Sequence, residues 1–179
     1  MQNATNLTDV YKKRREKIAL RQGYLGLFVR ILAVAAIVYV MLSQVFLITQ
    51  ADGNGMFPSL KDGDLIIAFR LQSEYAKDDV VVYTAEGETR IGRIVASETD
   101  TVMLDDSGTL LVNGTAQSGE IMYPTYAGEE LSYPYIVPEG GVFILGDYRT
   151  QTQDSRDFGA VELRNVKGKV ITLLRRRGI

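Results

Sequence analysis

The 179-residue sequence contains no cysteine and no histidine. Without cysteine the chain can form neither a disulfide nor a thiolate metal site, and it has no thiol nucleophile. Without histidine it has no imidazole base and no Ser-His-Asp relay. Any hydrolytic chemistry must therefore take its base from Lys, Asp, Glu or Tyr. We expect no metal ion and no cofactor.

Acidic residues are scarce before residue 51 and in excess after it. The first 50 residues carry seven Lys or Arg and two acidic residues, and the remainder carries thirteen basic and twenty acidic residues. This asymmetry indicates two environments for the two parts of the chain. The acidic part gives no support for nucleic-acid binding, so we expect no nucleic-acid partner.

The longest apolar run lies between residues 24 and 48 and carries one charge, Arg30. As a helix, its uncharged part at 31–48 would span about 27 Å, close to the thickness of a hydrocarbon core. The run is apolar on all sides and longer than the core of a signal peptide. This pattern favours a permanent membrane anchor over the two alternatives, a buried core helix and a cleaved signal peptide.

The basic residues just before the run predict its orientation. The positive-inside rule places them in the cytoplasm, so everything after Ile48 would lie on the outer face of the cell membrane. We therefore predict a single-pass protein in contact with the lipid bilayer. Its parts are a cytoplasmic basic tail at 1–23, a transmembrane helix at 24–48 and an extracytoplasmic domain at 49–179.

Short apolar runs rich in Val and Ile follow residue 50, and turn residues separate them. This pattern is typical of strands, and the segment 103–114 predicts a hairpin with its tip at 106–108. No stretch shows convincing helical periodicity. We predict an all-β domain, either a partly closed barrel or two packed antiparallel sheets, without helices of any size. Residues 122–141 are predicted to form an ordered loop or extension.

Three segments, in this order after the single span, resemble motifs of the type I signal peptidases. GNGMFPSLKDGD at 53–64 is similar to the family's Gly-x-Ser-Met-x-Pro-Thr-Leu, and RIGRIVA at 90–96 resembles the strand with its Lys-Arg pair. GDYRTQTQDSRDFG at 146–159 resembles Gly-Asp-Asn-Arg…Ser-x-Asp-Ser-Arg-x-x-Gly at eight positions, which makes it highly specific. The resemblance implies a membrane-anchored serine protease of mostly β fold that cuts signal peptides with a Ser-Lys dyad.

The departures from this pattern fall on the chemistry. The resemblance places the nucleophilic serine at Gly55 and the lysine base at Gly92, and glycine supplies neither a hydroxyl nor an amine. Ser59, followed by Lys61, is the alternative nucleophile, although the family's pattern implies a structural role for Ser59. We therefore expect no catalytic residue and a degenerate serine endopeptidase.

The resemblance implies that a peptide-binding half survives. Backbone N–H groups of the turn would keep the family's oxyanion-hole geometry, and Gly55 would let a peptide backbone approach closely. The alternative for the apolar residues of this segment is ordinary burial under a turn. The predicted peptide-binding residues are Gly53, Asn54, Gly55, Met56, Phe57 and Pro58.

The third motif implies an architectural loop. Asp154 and Arg156 resemble an ion pair behind the family's active site, and Thr152 resembles a hydroxyl that supports the lysine. Without a lysine, we expect Thr152 to bond backbone or water. The predicted loop residues are Asp147, Arg149, Thr152, Asp154, Ser155 and Arg156. For the basic end at 175–177, we favour a solvated strand end over contact with anionic lipid.

The resemblance extends to catalytically silent homologues associated with pilus assembly in Gram-positive bacteria. It implies a membrane protein that binds exported polypeptides, such as pilin subunits, and helps bring them to a sortase. Two alternatives stay open: an active signal peptidase with a nucleophile such as Ser59, and a structural membrane protein with no peptide groove.

Overall fold

The computed structural model describes residues 2–117, 123–128 and 130–175. The chain divides into two compact units, Met1–Gln44 and Val45–Ile179.

The first unit is built on helix α1 (Gln2–Val45), which contains the basic segment and most of the apolar run. Its part Leu20–Val45 is long and apolar enough to cross a membrane. Large apolar side chains such as Leu25 and Ile37 are exposed along it, as expected of a helix whose natural solvent is lipid.

The end of the helix differs from the predicted span. The helix ends at Val45, and Phe46–Gln50 forms strand β1. This strand pairs with residues 65–69, with Ile48 opposite Ile67, so its backbone groups are bonded in a sheet. The sequence does not mark the point where helix gives way to strand, because short apolar stretches of helix and of strand have the same composition. The predicted end at residue 48 is therefore corrected to residue 45.

Eleven strands lie in the second unit as the structure describes it. They are β1 (Phe46–Gln50), β2 (Leu65–Phe69), β3 (Val80–Ala85), β4 (Glu88–Ser97), β5 (Thr101–Leu104), β6 (Leu110–Val112), β7 (Thr115–Ala116), β8 (Tyr135–Ile136), β9 (Gly141–Leu145), β10 (Val161–Glu162) and β11 (Val166–Leu174). One sheet has the order β1-β2-β11-β3-β4-β9-β10, and a smaller one has the order β7-β6-β5-β8. All pairs are antiparallel, which confirms the predicted fold class.

The smaller sheet contains the predicted hairpin. Met103 in β5 lies opposite Leu111 in β6, and the turn between the strands includes residues 106–108. Part of the predicted loop at 122–141 also joins this sheet as β8, since Tyr135 pairs with Val102 of β5. The Tyr135 ring packs against Phe143 of the larger sheet at a centroid distance of 5.4 Å. Among the described residues of this unit, helix is limited to one turn, α2 (Ser155–Phe158), and a 3-10 turn (Leu163–Asn165).

Two clusters of the apolar core lie beside the candidate site. In one, Val81 and Tyr83 of β3 pack with Ile94 of β4 and Ile144 of β9. In the other, residues that precede and begin β2 are buried with Ile91 of β4 against them; they are Ala51, Met56, Leu60 and Ile66. Strand β4 thus contributes alternate side chains to two cores, as the two-residue period of a strand requires.

Candidate functional site

A groove of about 500 Å³ opens between the start of the domain and the first half of β4. One wall is the end of β1 and the turn that follows it, and the other is β4 together with the loop after β9. The lining residues are Thr49, Gln50, Ala51, Asp52, Gly53, Asn54, Gly55, Met56, Leu60, Glu88, Thr89, Arg90, Ile91, Gln151, Thr152 and Gln153.

Both long walls of this groove are strand edges without a described partner. Strand β1 is the outermost strand of its sheet. Strand β4 pairs with β3 over its first half, but with β9 only from Arg93 onward. The amide of Ile94 donates to the Asp79 carbonyl, which lies beside β3. Backbone groups along a strand point alternately to its two sides, so those of Thr89 and Ile91 point away from β3. An extended peptide in the groove would find unpaired backbone donors and acceptors on β4.

The turn after β1 presents further N–H groups. Gly53 adopts a φ of 72°, a conformation that glycine tolerates without strain, and its amide donates to Asp62 Oδ1 at 2.8 Å. Phe57 N–H donates to the Asn54 carbonyl at 2.9 Å. Among the described residues, no protein group accepts from the amides of residues 54–56. The turn therefore has N–H groups available for a carbonyl oxygen.

Gly55 lies against the loop behind the groove. Its carbonyl oxygen accepts from the Tyr148 amide at 3.0 Å. A Cβ at position 55 would lie 2.9 Å from the Thr152 methyl group, and a Cβ at Gly146 would lie 2.3 Å from the same methyl and 2.7 Å from the Gly55 oxygen. The Thr152 methyl thus fills the space that a side chain at position 55 would need.

Gly92 is packed even more closely. A Cβ there would lie 2.5 Å from Ile144 Cγ2, and 3.2 Å from both Tyr83 Cε1 and the Leu145 carbonyl oxygen. Tyr83 and Ile144 are fully buried. Burial, followed by the charge of Asp154, raises the pKa of Tyr83 well above its usual value, so its hydroxyl stays neutral. No side chain longer than hydrogen fits at position 92 unless these neighbours shift.

The groove includes four of the six predicted peptide-binding residues. Gly53–Met56 line it, and Met56 is also buried in the core beneath it. Phe57 and Pro58, the other two predicted residues, do not line this groove. The turn directs the Phe57 ring toward Tyr148, with a centroid distance of 6.2 Å, and leaves Pro58 exposed.

The loop at 146–159 contains a buried ion pair. Arg156 Nε donates to Asp154 Oδ1 at 2.8 Å, and the exposed fractions of the Arg156 and Asp154 side chains are 9% and 1%. Burial alone would lower the pKa of Arg156, but its hydrogen bond and attraction to Asp154 outweigh burial and raise that pKa. Asp154 also accepts from the Gly146 amide and caps α2. One carboxylate therefore joins the loop, the helix and the end of β9.

Two hydroxyl groups complete the attachment of this loop. Ser155 Oγ accepts from the Ile144 amide at 2.9 Å. Thr152 Oγ1 lies within hydrogen-bond distance of two acceptors, the Tyr148 carbonyl at 3.2 Å and Asp154 Oδ2 at 3.0 Å, and its one proton can be donated to either. The Thr152 hydroxyl thus has a carboxylate as well as a backbone acceptor, and both of these acceptors belong to the loop.

Arg149 crosses from the loop to a different part of the chain. It is 3% exposed, and it donates to Gly146 O at 2.8 Å, Thr125 Oγ1 at 2.7 Å and Gln117 Oε1 at 3.0 Å. Burial lowers its pKa, with the charges of nearby aspartates acting in the opposite direction. Arg149 therefore fastens the loop to residues 117 and 125.

A second ion pair joins β4 to the loop. Arg93 donates to both oxygens of Asp147, at 2.8 and 2.7 Å, and the hydrogen bond to Asp147 is the main reason that its pKa is raised. Ser59 donates to the same carboxylate at 2.5 Å and also lies 3.3 Å from Arg93. The Arg93–Asp147 pairing was not predicted, because the two residues are 54 positions apart and lie in different motifs.

Ser59 itself does not line the groove, although Leu60 does. Ser59 lines a separate cavity with residues of β11, among them Lys169, whose amine pairs with Asp79 at 2.7 Å. Arg175 donates to the Ser59 carbonyl at 3.2 Å and lies 3.4 Å from Asp64. The rest of the basic end, at 176 and 177, lies outside the described residues. The only base within hydrogen-bond distance of Ser59 in the described chain is a carboxylate that Arg93 already binds.

Sequence reasoning did not identify the polar wall of the groove. Arg90, Gln151 and Gln153 line it, and Arg90 is bonded to Gln153. The available signal was Arg90, a charged residue near the start of β4. Side chains alternate between the two faces of a strand, so Arg90 lies on the same face of β4 as position 92, two residues later.

Comparisons with known proteins find one matching family and several similar proteins. A family model described as signal peptidase, peptidase S26, matches residues 24–174. A probable thylakoidal processing peptidase 2 of Arabidopsis thaliana is 34% identical over 134 residues, which cover 66% of this chain and 35% of that protein. Signal peptidase I of Bacillus caldolyticus is 28% identical over 135 residues, which cover 66% of this chain and 74% of that protein.

The chain spans little more than a third of the length of the first curated relatives that it matches, 35% and 38%. Among solved structures, a signal peptidase I from Enterococcus faecalis is 27% identical, with a TM-score of 0.47, and the match covers 56% of this chain and 98% of that one.

Proposed function

Because the chain belongs to the peptidase S26 family of signal peptidases, we propose that it binds extended segments of exported polypeptides and does not cleave them. The observation that carries this proposal is the packing at Gly55 and Gly92. Neither position has a functional group, and a Cβ at either would lie within 3 Å of a neighbouring side chain. A serine protease of this kind needs a hydroxyl at the first position and an amine at the second.

Binding without cleavage is supported by the two strand edges. The outer edge of β1 and the open half of β4 line one groove, so an inserted segment would gain backbone hydrogen bonds from both walls. Such β-strand addition gives affinity through the main chain and specificity through alternate side chains. The free amides of residues 54–56 would bind a client carbonyl oxygen.

The membrane supplies the setting of this proposal. One helix is long and apolar enough to span a bilayer, and the basic residues before it favour a cytoplasmic amino terminus. The groove would then lie on the outer face, where secreted chains emerge. We extend the proposal to assistance of surface assembly, with pilin subunits as clients and a sortase as a possible recipient, on the resemblance described above.

A second function, an active signal peptidase, has one contact in its favour. Ser59 Oγ lies 2.5 Å from the Asp147 carboxylate, which is the geometry of a hydroxyl and a base. Against it, Arg93 binds both oxygens of that carboxylate, and Ser59 does not line the groove. A base that is already paired with a guanidinium is poorly suited to remove a proton.

Crosslinking tests the binding proposal directly. A photoreactive residue placed at Asn54 in the full chain, in membranes, should capture secreted precursors, because Asn54 is exposed in the groove. The matched control is the same residue at Glu139, which is exposed outside the groove. Equal capture from both positions, or none from Asn54, would contradict the proposal and favour a structural membrane protein.

Incubation with a purified precursor separates the two functions. We expect the full chain in detergent to yield no cleaved product and no adduct with a serine-directed acylating probe. Cleavage by the unmodified chain that disappears in Ser59→Ala would establish the peptidase function and overturn binding without cleavage.

A further inference from the structure

Arg90 is the only basic side chain among the described residues that line the groove. Its Nη2 lies 3.2 Å from Gln153 Oε1, and its Nη1 lies 3.4 Å from the Gln153 carbonyl oxygen. Its guanidinium carbon lies 5.8 Å from the centre of the Phe158 ring. The Arg90 side chain is 17% exposed. The guanidinium is therefore held in a defined place on the groove wall and still reaches its surface.

The carboxylates that pair with Arg90 are held far less firmly. Glu88 lies 2.8 Å away with 71% of its side chain exposed, and Glu86 lies 3.7 Å away with 59% exposed. Pairs of this kind contribute little, because the glutamate partner is well solvated and can leave at small cost. Either glutamate can turn into solvent when another carboxylate takes its place. Arg90 Nε is buried and has no hydrogen-bond partner among the described residues, so the present partners leave the guanidinium incompletely bonded.

Arg90 differs in its positive charge from the rest of the groove lining. The lining also includes Asp52 and Glu88, and the chain after residue 50 has twenty acidic residues against thirteen basic ones. Near Asp52 a client carboxylate would meet like charge, and at the neutral lining residues it would meet no opposite charge. Beside Arg90 it would form a charge-assisted hydrogen bond with a guanidinium that is already oriented.

We infer that Arg90 makes the groove selective for a client segment with an acidic side chain at one position, where that carboxylate replaces Glu88. This inference rests on the peptide binding proposed above and names the class of client. It assigns Arg90 a role in specificity rather than in any chemical step.

Blocked peptides provide the test. The probes are ten-residue peptides of Thr, Val, Ala and Ser, with acetylated and amidated ends and a single Glu placed at each position in turn, measured by fluorescence anisotropy against the full chain in lipid nanodiscs. Matched peptides carry Gln or Lys instead. At one position we expect Glu to bind about three- to tenfold more tightly than Gln, an effect that salt weakens.

Variants assign the preference to Arg90. Arg90→Gln should remove the preference for Glu, Arg90→Lys should retain part of it, and Glu88→Gln should enlarge it by removing the competing carboxylate. Arg164→Gln is the control, because Arg164 is exposed, pairs with Glu162 and lies outside the groove. A peptide with a free carboxyl end and no Glu shows whether a terminal carboxylate serves equally well; tighter binding of that peptide than of any Glu peptide would overturn the inference.

The outcomes separate this inference from the proposed function. Peptides that bind with no position-specific preference for Glu, or a preference that persists in Arg90→Gln, would overturn the inference and leave peptide binding intact. Should Arg90→Gln fail to fold, an unchanged or reduced preference in Glu88→Gln would overturn it equally. Failure of every peptide to bind would overturn both.

Discussion

Two neighbouring regions, the glycine positions 55 and 92 and the loop at 146–159, differ in how their side chains are used. At the glycines, neighbouring methyl, aliphatic and aromatic groups occupy the space of a side chain. In the loop, almost every polar group has a partner, and Asp154 alone bonds Arg156, Thr152 and the Gly146 amide. The charged network supports the fold, whereas no polar contact depends on a side chain at either glycine.

This difference teaches that the frame and the chemistry of such a site are separable. A buried charge must keep its partner, so a single substitution in the loop is costly to the fold whether or not the site carries out a reaction. A glycine that neighbours have closed over can remain glycine at no cost to the fold. The comparison can be tested by substitutions that remove a polar partner from the loop or add a side chain at either glycine.

The largest effect is expected at Asp154. Asp154→Ala leaves the buried guanidinium of Arg156 without its carboxylate and removes the cap of α2, so the free energy of unfolding should fall by about 3–5 kcal/mol. Chemical denaturation of the full chain in detergent, followed by tyrosine fluorescence, measures this loss.

A matched acidic residue controls for loss of charge alone. Glu162 pairs with Arg164 at an exposed site, and Glu162→Ala should change the free energy of unfolding by less than about 1 kcal/mol. Similar effects from the two substitutions would show that the buried network is no more important to the fold than a surface pair.

A smaller effect is expected at Gly92. Gly92→Ala places a methyl group 2.5 Å from Ile144 Cγ2, and overpacking of this kind should lower the free energy of unfolding by about 1–3 kcal/mol. The measurement is a double-mutant cycle with Ile144→Ala, which removes the obstructing atom.

In that cycle the cost of the alanine at position 92 should largely disappear when residue 144 is alanine. An equal cost in both backgrounds would mean that Tyr83 or the Leu145 carbonyl, and not Ile144, disfavours a side chain at Gly92.

A second cycle concerns Gly55. Gly55→Ser should lower the free energy of unfolding by about 1 kcal/mol, because the new Cβ lies 2.9 Å from the Thr152 methyl group. The backbone at Gly55 has no positive φ, so serine itself is tolerated there. In a Thr152→Ser background, which lacks the methyl, the cost should vanish.

The same variants carry a prediction about chemistry. Gly55→Ser should remain unreactive toward a serine-directed probe, since no amine stands at position 92 to activate the hydroxyl. Acylation of this single variant would show that another base reaches position 55.

The strands and the loop at 146–159 were accessible from the sequence, because both depend on local patterns. Val- and Ile-rich runs between turn residues identified β2 and β9, and the third motif identified the loop that contains Asp154. The end of α1 was not accessible, since Phe46 continues an apolar run. Contacts set by register between distant strands, such as Gly92 with Ile144 and Arg93 with Asp147, were not accessible either, because their residues are more than 50 positions apart.

The smallest effect is expected at Tyr133, the one member of the network near Arg156 that is incompletely bonded among the described residues. The Tyr133 hydroxyl is buried without a hydrogen-bond partner among the described residues, and burial, moderated by the charge of Arg156, raises its pKa to about 12. Removing an unpaired buried hydroxyl costs little, so Tyr133→Phe should raise the free energy of unfolding at pH 7 by up to about 1 kcal/mol.

The pH dependence of Tyr133→Phe gives the sharper readout. Below the ordinary pKa of 10.0 the hydroxyl is neutral in both the folded and the unfolded chain. Between pH 10 and 12 the unfolded chain loses this proton while the folded chain retains it, so the stability of the parent protein should fall as pH rises through this window. Tyr133→Phe lacks this ionisation and should lose less stability between the same two pH values in parallel denaturant titrations. Identical losses would mean that the hydroxyl is solvated or paired in the folded protein, and that the network around Arg156 contains no incompletely bonded member at Tyr133.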